Sequence, residues 1–64
     1  MTQSEAKKII ITSFSDTILQ NKYKKSDINY IVSIRNKAFY DEMNYGNGDY
    51  IKALNDIKKY IGEI

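Results

Sequence analysis

Apolar residues recur at helical spacing in three stretches of this chain. In the first, residues 5–21, Ala6, Ile10, Phe14 and Ile18 come at every fourth position, with Ile11 beside them. At 100° per residue they cover an arc of about 140°, the width of an amphipathic helix face. Ile9 and Leu19 form a thinner second stripe, and Tyr23 continues its phase. The run "KIIITSF" is rich in β-branched residues, so a strand is the alternative there. The four-residue spacing continues past it and favours the helix. Ser4 stands at the N-cap position, with Glu5 at the positive end of the helix dipole.

The polar, basic segment "NKYKKSD", residues 21–27, interrupts the pattern, and Ser26 or Asp27 is placed to cap the next helix. That second helix is predicted over 27–45, with Ile28, Ile31, Val32, Ala38, Phe39 and Met43 on its main stripe and Ile34 at the edge. So wide a face suits a helix that touches two neighbours. Arg35 and Glu42 fall inside the stripe. Arg is the fork-shaped partner a buried carboxylate needs, and a residue from another helix has room to stand between the two. The third helix, 49–61, carries Tyr50, Ala53, Leu54, Ile57 and Ile61 on one face. Between the last two helices lies "MNYGNGDY". Gly46 is placed for a left-handed helix end, Asn47-Gly48 for the turn and Asp49 for the next N-cap. Gly62 marks the end of the third helix. These signals predict an all-α fold in one domain, 1–64. The architecture is a small three-helix bundle, or a helical hairpin with an added N-terminal helix.

Composition sharpens this picture. Proline is absent and there are three glycines, as long helices require. A chain of 64 residues builds a small core, so helix packing and self-association are its available sources of stability. Without cysteine or histidine there is no disulfide, no thiolate or imidazole metal site, and no Cys- or His-based catalytic dyad. The lack of cysteine fits a cytoplasmic protein. The longest apolar run, Ile9-Ile10-Ile11, is too short for a signal-peptide core or a membrane span, so no membrane partner is expected.

The glycine pair fails as a ligand loop. A dinucleotide fingerprint needs a third glycine where Ile51 stands, a P-loop needs Gly-Lys-Ser/Thr, and a calcium loop needs spaced carboxylates ending in Glu where Lys52 stands. No nucleophile–base pair, metal cluster or cofactor motif remains, and the expectation is a protein without catalytic activity or cofactor.

Six tyrosines in a chain this short point instead to binding, because tyrosine joins contact area to a polar tip. Tyr30, Ile34, Tyr40 and Tyr45, with Asn47 and Asp49 of the corner, form the candidate protein-binding face. The rival reading is nucleic-acid binding through Lys22, Lys24, Lys25, Lys52 and Lys59. A net charge of only +2 makes nucleic acid the weaker of the two expectations. A homo-oligomer with facing tyrosines is a further alternative.

From Ser26 onward, "SDINYIVSIRNKAFYDEMNYGNGDYIKALNDIKKYI" resembles short proteins encoded by phages and prophages of Gram-positive bacteria. The likeness rests on Ile31, Arg35, Gly46, Gly48, Asp49, Tyr50 and Ile51. The stretch is also distantly similar to the sporulation antikinase Sda, in Ser26-Asp27 and in Asp49-Tyr50-Ile51, with about one extra helical turn in the hairpin. Both resemblances imply a small protein that works by binding another. The first implies a phage-type inhibitor of a host or defence enzyme, of anti-CRISPR type; the second implies an antikinase-type regulator.

Overall fold

The hydroxyl of Thr2 opens the first helix. It accepts the N–H of Glu5 while the Glu5 carboxylate accepts the N–H of Thr2, a reciprocal capping box. The cap therefore lies two residues before the expected Ser4. A computed structural model describes residues 1–62, and the last two residues of the expected domain lie outside the described residues. It contains four helices: α1 Gln3–Ser13, α2 Asp16–Lys22, α3 Lys25–Tyr45 and α4 Tyr50–Ile61. The fold is all-α, a small helical bundle, with no strand among the described residues. "KIIITSF" is helical up to Ser13.

The helix expected over 5–21 is two helices. Phe14 leaves helical geometry (φ −128°, ψ 36°), and Ser15, extended, accepts the N–H of Ile18 as the N-cap of α2. The break changes the phase of the apolar face. An unbroken helix puts Ile18 inside; instead Leu19 is fully buried and Ile18 is exposed, as is Ile11. α3 starts two residues earlier than expected. Lys24 is its N-cap without a side-chain hydrogen bond, so neither Ser26 nor Asp27 caps it.

α1, α3 and α4 form the bundle, and α2 links α1 to α3. Gln3 of α1 meets the start of α4, and Lys7 meets Glu42 near the end of α3. α1 therefore runs alongside α4, and both are antiparallel to α3. The core is Ala6, Ile10, Phe14, Leu19, Ile31, Ala38, Tyr50, Ala53, Leu54 and Ile57. Burying each large apolar side chain contributes roughly 1.5–3 kcal/mol before entropy is counted. No polar or charged residue among those described is buried in it.

Candidate functional site

The α3–α4 corner is built residue by residue as its sequence suggests. Gly46 adopts φ +69°, and its N–H reaches the Glu42 carbonyl at 2.9 Å. Gly48 has a different reason to be glycine. A Cβ there would lie 2.5 Å from the carbonyl oxygen of Ala38 and 2.8 Å from Glu42 Cβ, so the corner rests directly on the α3 backbone. Asp49 caps α4 by accepting the Lys52 N–H at 3.0 Å. Gln3 of α1 completes the cap: its Oε1 accepts from Tyr50 N (2.6 Å) and Ile51 N (3.1 Å), and its Nε2 donates to Asp49 Oδ1 (3.1 Å).

Behind the corner, buried Tyr50 packs its ring on Phe39 at 5.6 Å, with Lys7 Nζ 5.5 Å from its centroid. Lys7 also pairs with Glu42 at 3.0 Å. The Tyr50 hydroxyl and then Lys7 hold the Glu42 carboxyl below the usual carboxylate range, while burial and then Glu42 push the Tyr50 hydroxyl up. An open recess is lined here by Gln3, Lys7, Glu42, Gly46, Gly48 and Tyr50. Its charged groups are already engaged with one another.

Asp49 lines the α3–α4 groove beside Asp41, so the last turn of α3 runs past the start of α4. Met43, expected on the core stripe, is 84% exposed; at 100° per residue it lies about 120° round α3 from buried Ile31, beyond the face the bundle covers. Tyr45 and Tyr40 are 67% and 58% exposed, and their rings meet edge to face at 6.1 Å. Asn47 is exposed on the rim.

The six residues of the expected protein-binding face thus fall in three places. Tyr40, Tyr45 and Asn47 share the corner end. Asp49 is committed to the cap of α4. Ile34 is half-buried in the α3–α4 groove, between the ion pairs Lys37–Asp41 (2.7 Å) and Lys52–Asp56 (3.2 Å). Tyr30 lies toward the opposite end, stacked on Tyr60 at 4.1 Å, where the Tyr60 hydroxyl donates to Asp27 at 2.7 Å.

That opposite end gathers most of the expected nucleic-acid lysines. Lys22, Lys24 and Lys25 stand around the α2–α3 joint, and Lys58 and Lys59 occupy the last turn of α4. Lys22 Nζ sits 5.8 Å from the Tyr23 ring centroid. Lys52 is elsewhere, paired with Asp56.

Arg35 and Glu42 do not meet; each takes its partner from another helix. Arg35, with a side chain 12% exposed, donates to the Phe14 carbonyl at 2.9 Å and pairs with Asp16 at 2.9 Å. It thus clamps the α1–α2 break from both sides. Two roles were missed in the sequence, those of Gln3 and of Ser15-Asp16. The second had a signal, since Ser followed by Asp is an N-terminal helix signature. The first had none, because a long-range cap leaves no local pattern.

Among the described residues no helix is long and apolar enough to cross a membrane, and no three His, Cys, Asp or Glu side chains are placed to hold a metal ion. The chain matches no family model, and comparison with curated proteins and with solved structures gives no match.

Proposed function

We propose that this chain is a small non-enzymatic protein-binding module whose contact face is the set of exposed side chains on the last turns of α3: Tyr40, Met43 and Tyr45. The observation that carries this reading is their joint exposure on the last turns of one helix. Aromatic residues and Met are enriched at interfaces and supply most of the anchors that dominate binding. Held on a formed helix, they lose little backbone freedom when they dock. A partner with an apolar pocket fits such a face. The resemblance to phage-encoded helical proteins makes a bacterial host or defence enzyme the first partner to try, and occlusion of its working surface the mode of action.

The test is the triple variant Tyr40→Ser, Met43→Ser, Tyr45→Ser, checked by circular dichroism for an unchanged helical signal. Wild type and variant are immobilised and exposed to lysate of a Gram-positive bacterium. The captured protein is purified and its affinity for each is measured. A stoichiometric complex that the variant weakens at least tenfold supports the face; equal binding by both overturns it. Sedimentation at two concentrations addresses the remaining occupant. A wild-type dimer that the variant abolishes would reassign the face to a second copy of this chain.

A further inference from the structure

We propose that the opposite end of the bundle binds single-stranded nucleic acid, with Lys22, Lys24, Lys25, Lys58 and Lys59 on the phosphates and the Tyr30–Tyr60 stack offered to a base. This surface is independent of the aromatic end and stands or falls apart from it.

The argument starts from the placement of charge. Four of the ten Lys and Arg residues are in ion pairs: Lys7, Arg35, Lys37 and Lys52. Every described carboxylate is engaged as well. Asp16, Asp41, Glu42 and Asp56 take those four cations. Glu5 and Asp49 close helix caps. Asp27 accepts the neutral Tyr60 hydroxyl and keeps its negative charge at the lysine end, one carboxylate against five lysines. Six lysines therefore have no ion-pair partner among the described residues. Five of the six are at one end, because the antiparallel packing that joins Tyr60 to Asp27 brings the last turn of α4 beside the first turn of α3. A net charge of +2 conceals this, since the four ion pairs lie elsewhere.

The shape and chemistry of this end choose among anions. The α3–α4 groove, the corner recess and the recess beside Phe14 are lined by none of these five lysines, so those hollows cannot hold a small phosphate compound against them. The cations come from three helices, α2, α3 and α4, which suits an extended polyanion that can track them. Tyr30 and Tyr60 are partly exposed and already stacked, and Lys22 lies by the Tyr23 ring. Lysines interleaved with aromatic rings are what a single strand uses, phosphates on the cations and a base on a π-face. An acidic polypeptide or an anionic membrane would use the lysines but brings no base to stack on the rings.

The experiment is fluorescence anisotropy of the full chain with a labelled oligo-deoxythymidine of about 12 nucleotides. If all five lysines meet phosphates, the slope of log affinity against log salt is about −3.5, so affinity falls about a hundredfold between 50 and 200 mM salt. The triple variant Lys24→Gln, Lys25→Gln, Lys59→Gln should make that slope shallower by about two. The control Lys37→Gln, Lys52→Gln should leave it unchanged. Tyr30→Leu should weaken binding about tenfold at fixed salt without altering the slope. Four results would each overturn the proposal: no binding at low salt, a slope unmoved by the triple variant, affinity unmoved by Tyr30→Leu, or a duplex, polyglutamate or anionic vesicles binding as tightly as the single strand.

Discussion

The corner end and the lysine end of this bundle are built from the same residue types in opposite ways. At the corner the charged groups are engaged by each other or by helix caps, and the aromatics Tyr40 and Tyr45 stand out with Met43 into solvent. At the lysine end Tyr30 and Tyr60 are engaged with each other and with Asp27, and Lys22, Lys24, Lys25 and Lys59 stand out, with Lys58 half-buried. A surface is defined by what its groups have left over. The corner has apolar area left over, and the lysine end has positive charge. One suits a folded protein with a pocket; the other suits a flexible polyanion.

The largest test of this contrast is at the corner itself, where two glycines serve different ends. Gly48→Ala drives a methyl group into the Ala38 carbonyl, which belongs to a helix and cannot yield. It should destabilise the protein by about 2 kcal/mol or more in urea unfolding, the range of overpacked cores. Gly46→Ala meets no atom and suffers only from φ +69°, so about 1 kcal/mol is expected. If the two cost the same, the corner does not rest on α3.

The corner also shows what was legible in the sequence. Gly46, Asp49, Tyr50 and Gly62 act through local rules, a left-handed turn, an N-cap and a period, and each is where its neighbours imply. Gly48 reads as a turn residue, and its contact with α3 comes only with the folded corner. The break at Phe14 was harder, since the spacing from Ala6 to Ile18 runs through it. Ser15 offers Ile18 N–H a cap, and Arg35, twenty-one positions from Phe14 in the chain, holds the break. Tyr30 and Tyr40 lie on one helix, and periodicity alone made them one face. Ten helical residues separate them by about 15 Å along the axis; that Tyr30 is taken up by Tyr60 of α4 while Tyr40 meets Tyr45 is a property of the packed bundle.

Acid should separate the two ends by a smaller effect. Glu5, Glu42 and Asp49 all lie toward the corner, and hydrogen bonds hold each carboxyl below the usual range. The largest causes are Thr2 for Glu5, the Tyr50 hydroxyl for Glu42 and the Lys52 N–H for Asp49. The folded state therefore binds protons less readily than the unfolded chain. The stability these groups contribute is complete above the ordinary carboxylate value of about 4 and is lost as pH falls through their folded values. Amide protection, referred to the intrinsic exchange rate at each pH and followed downward from pH 5, should drop first at residues 3–7 and 49–52, while the Tyr30–Tyr60 region keeps its protection. Earlier loss at the lysine end would mean that the caps do not hold the corner together.

The smallest effect belongs to the charges between the two ends. Lys37–Asp41 and Lys52–Asp56 are i,i+4 pairs along the α3–α4 groove, with lysine side chains about three-quarters exposed. Such pairs are screened and entropically costly to order, so each contributes little to stability. The double variant Lys37→Gln, Lys52→Gln should shift the urea midpoint barely beyond error. Its value lies in what it removes. It lowers the net positive charge by as much as Lys24→Gln, Lys25→Gln does, but takes the charge from positions where a carboxylate already answers it. If polyanion binding tracked total charge, the two double variants would behave alike. If it tracks uncompensated charge, only the pair at the α2–α3 joint will weaken it, and the difference between the two ends of the bundle becomes a measured quantity.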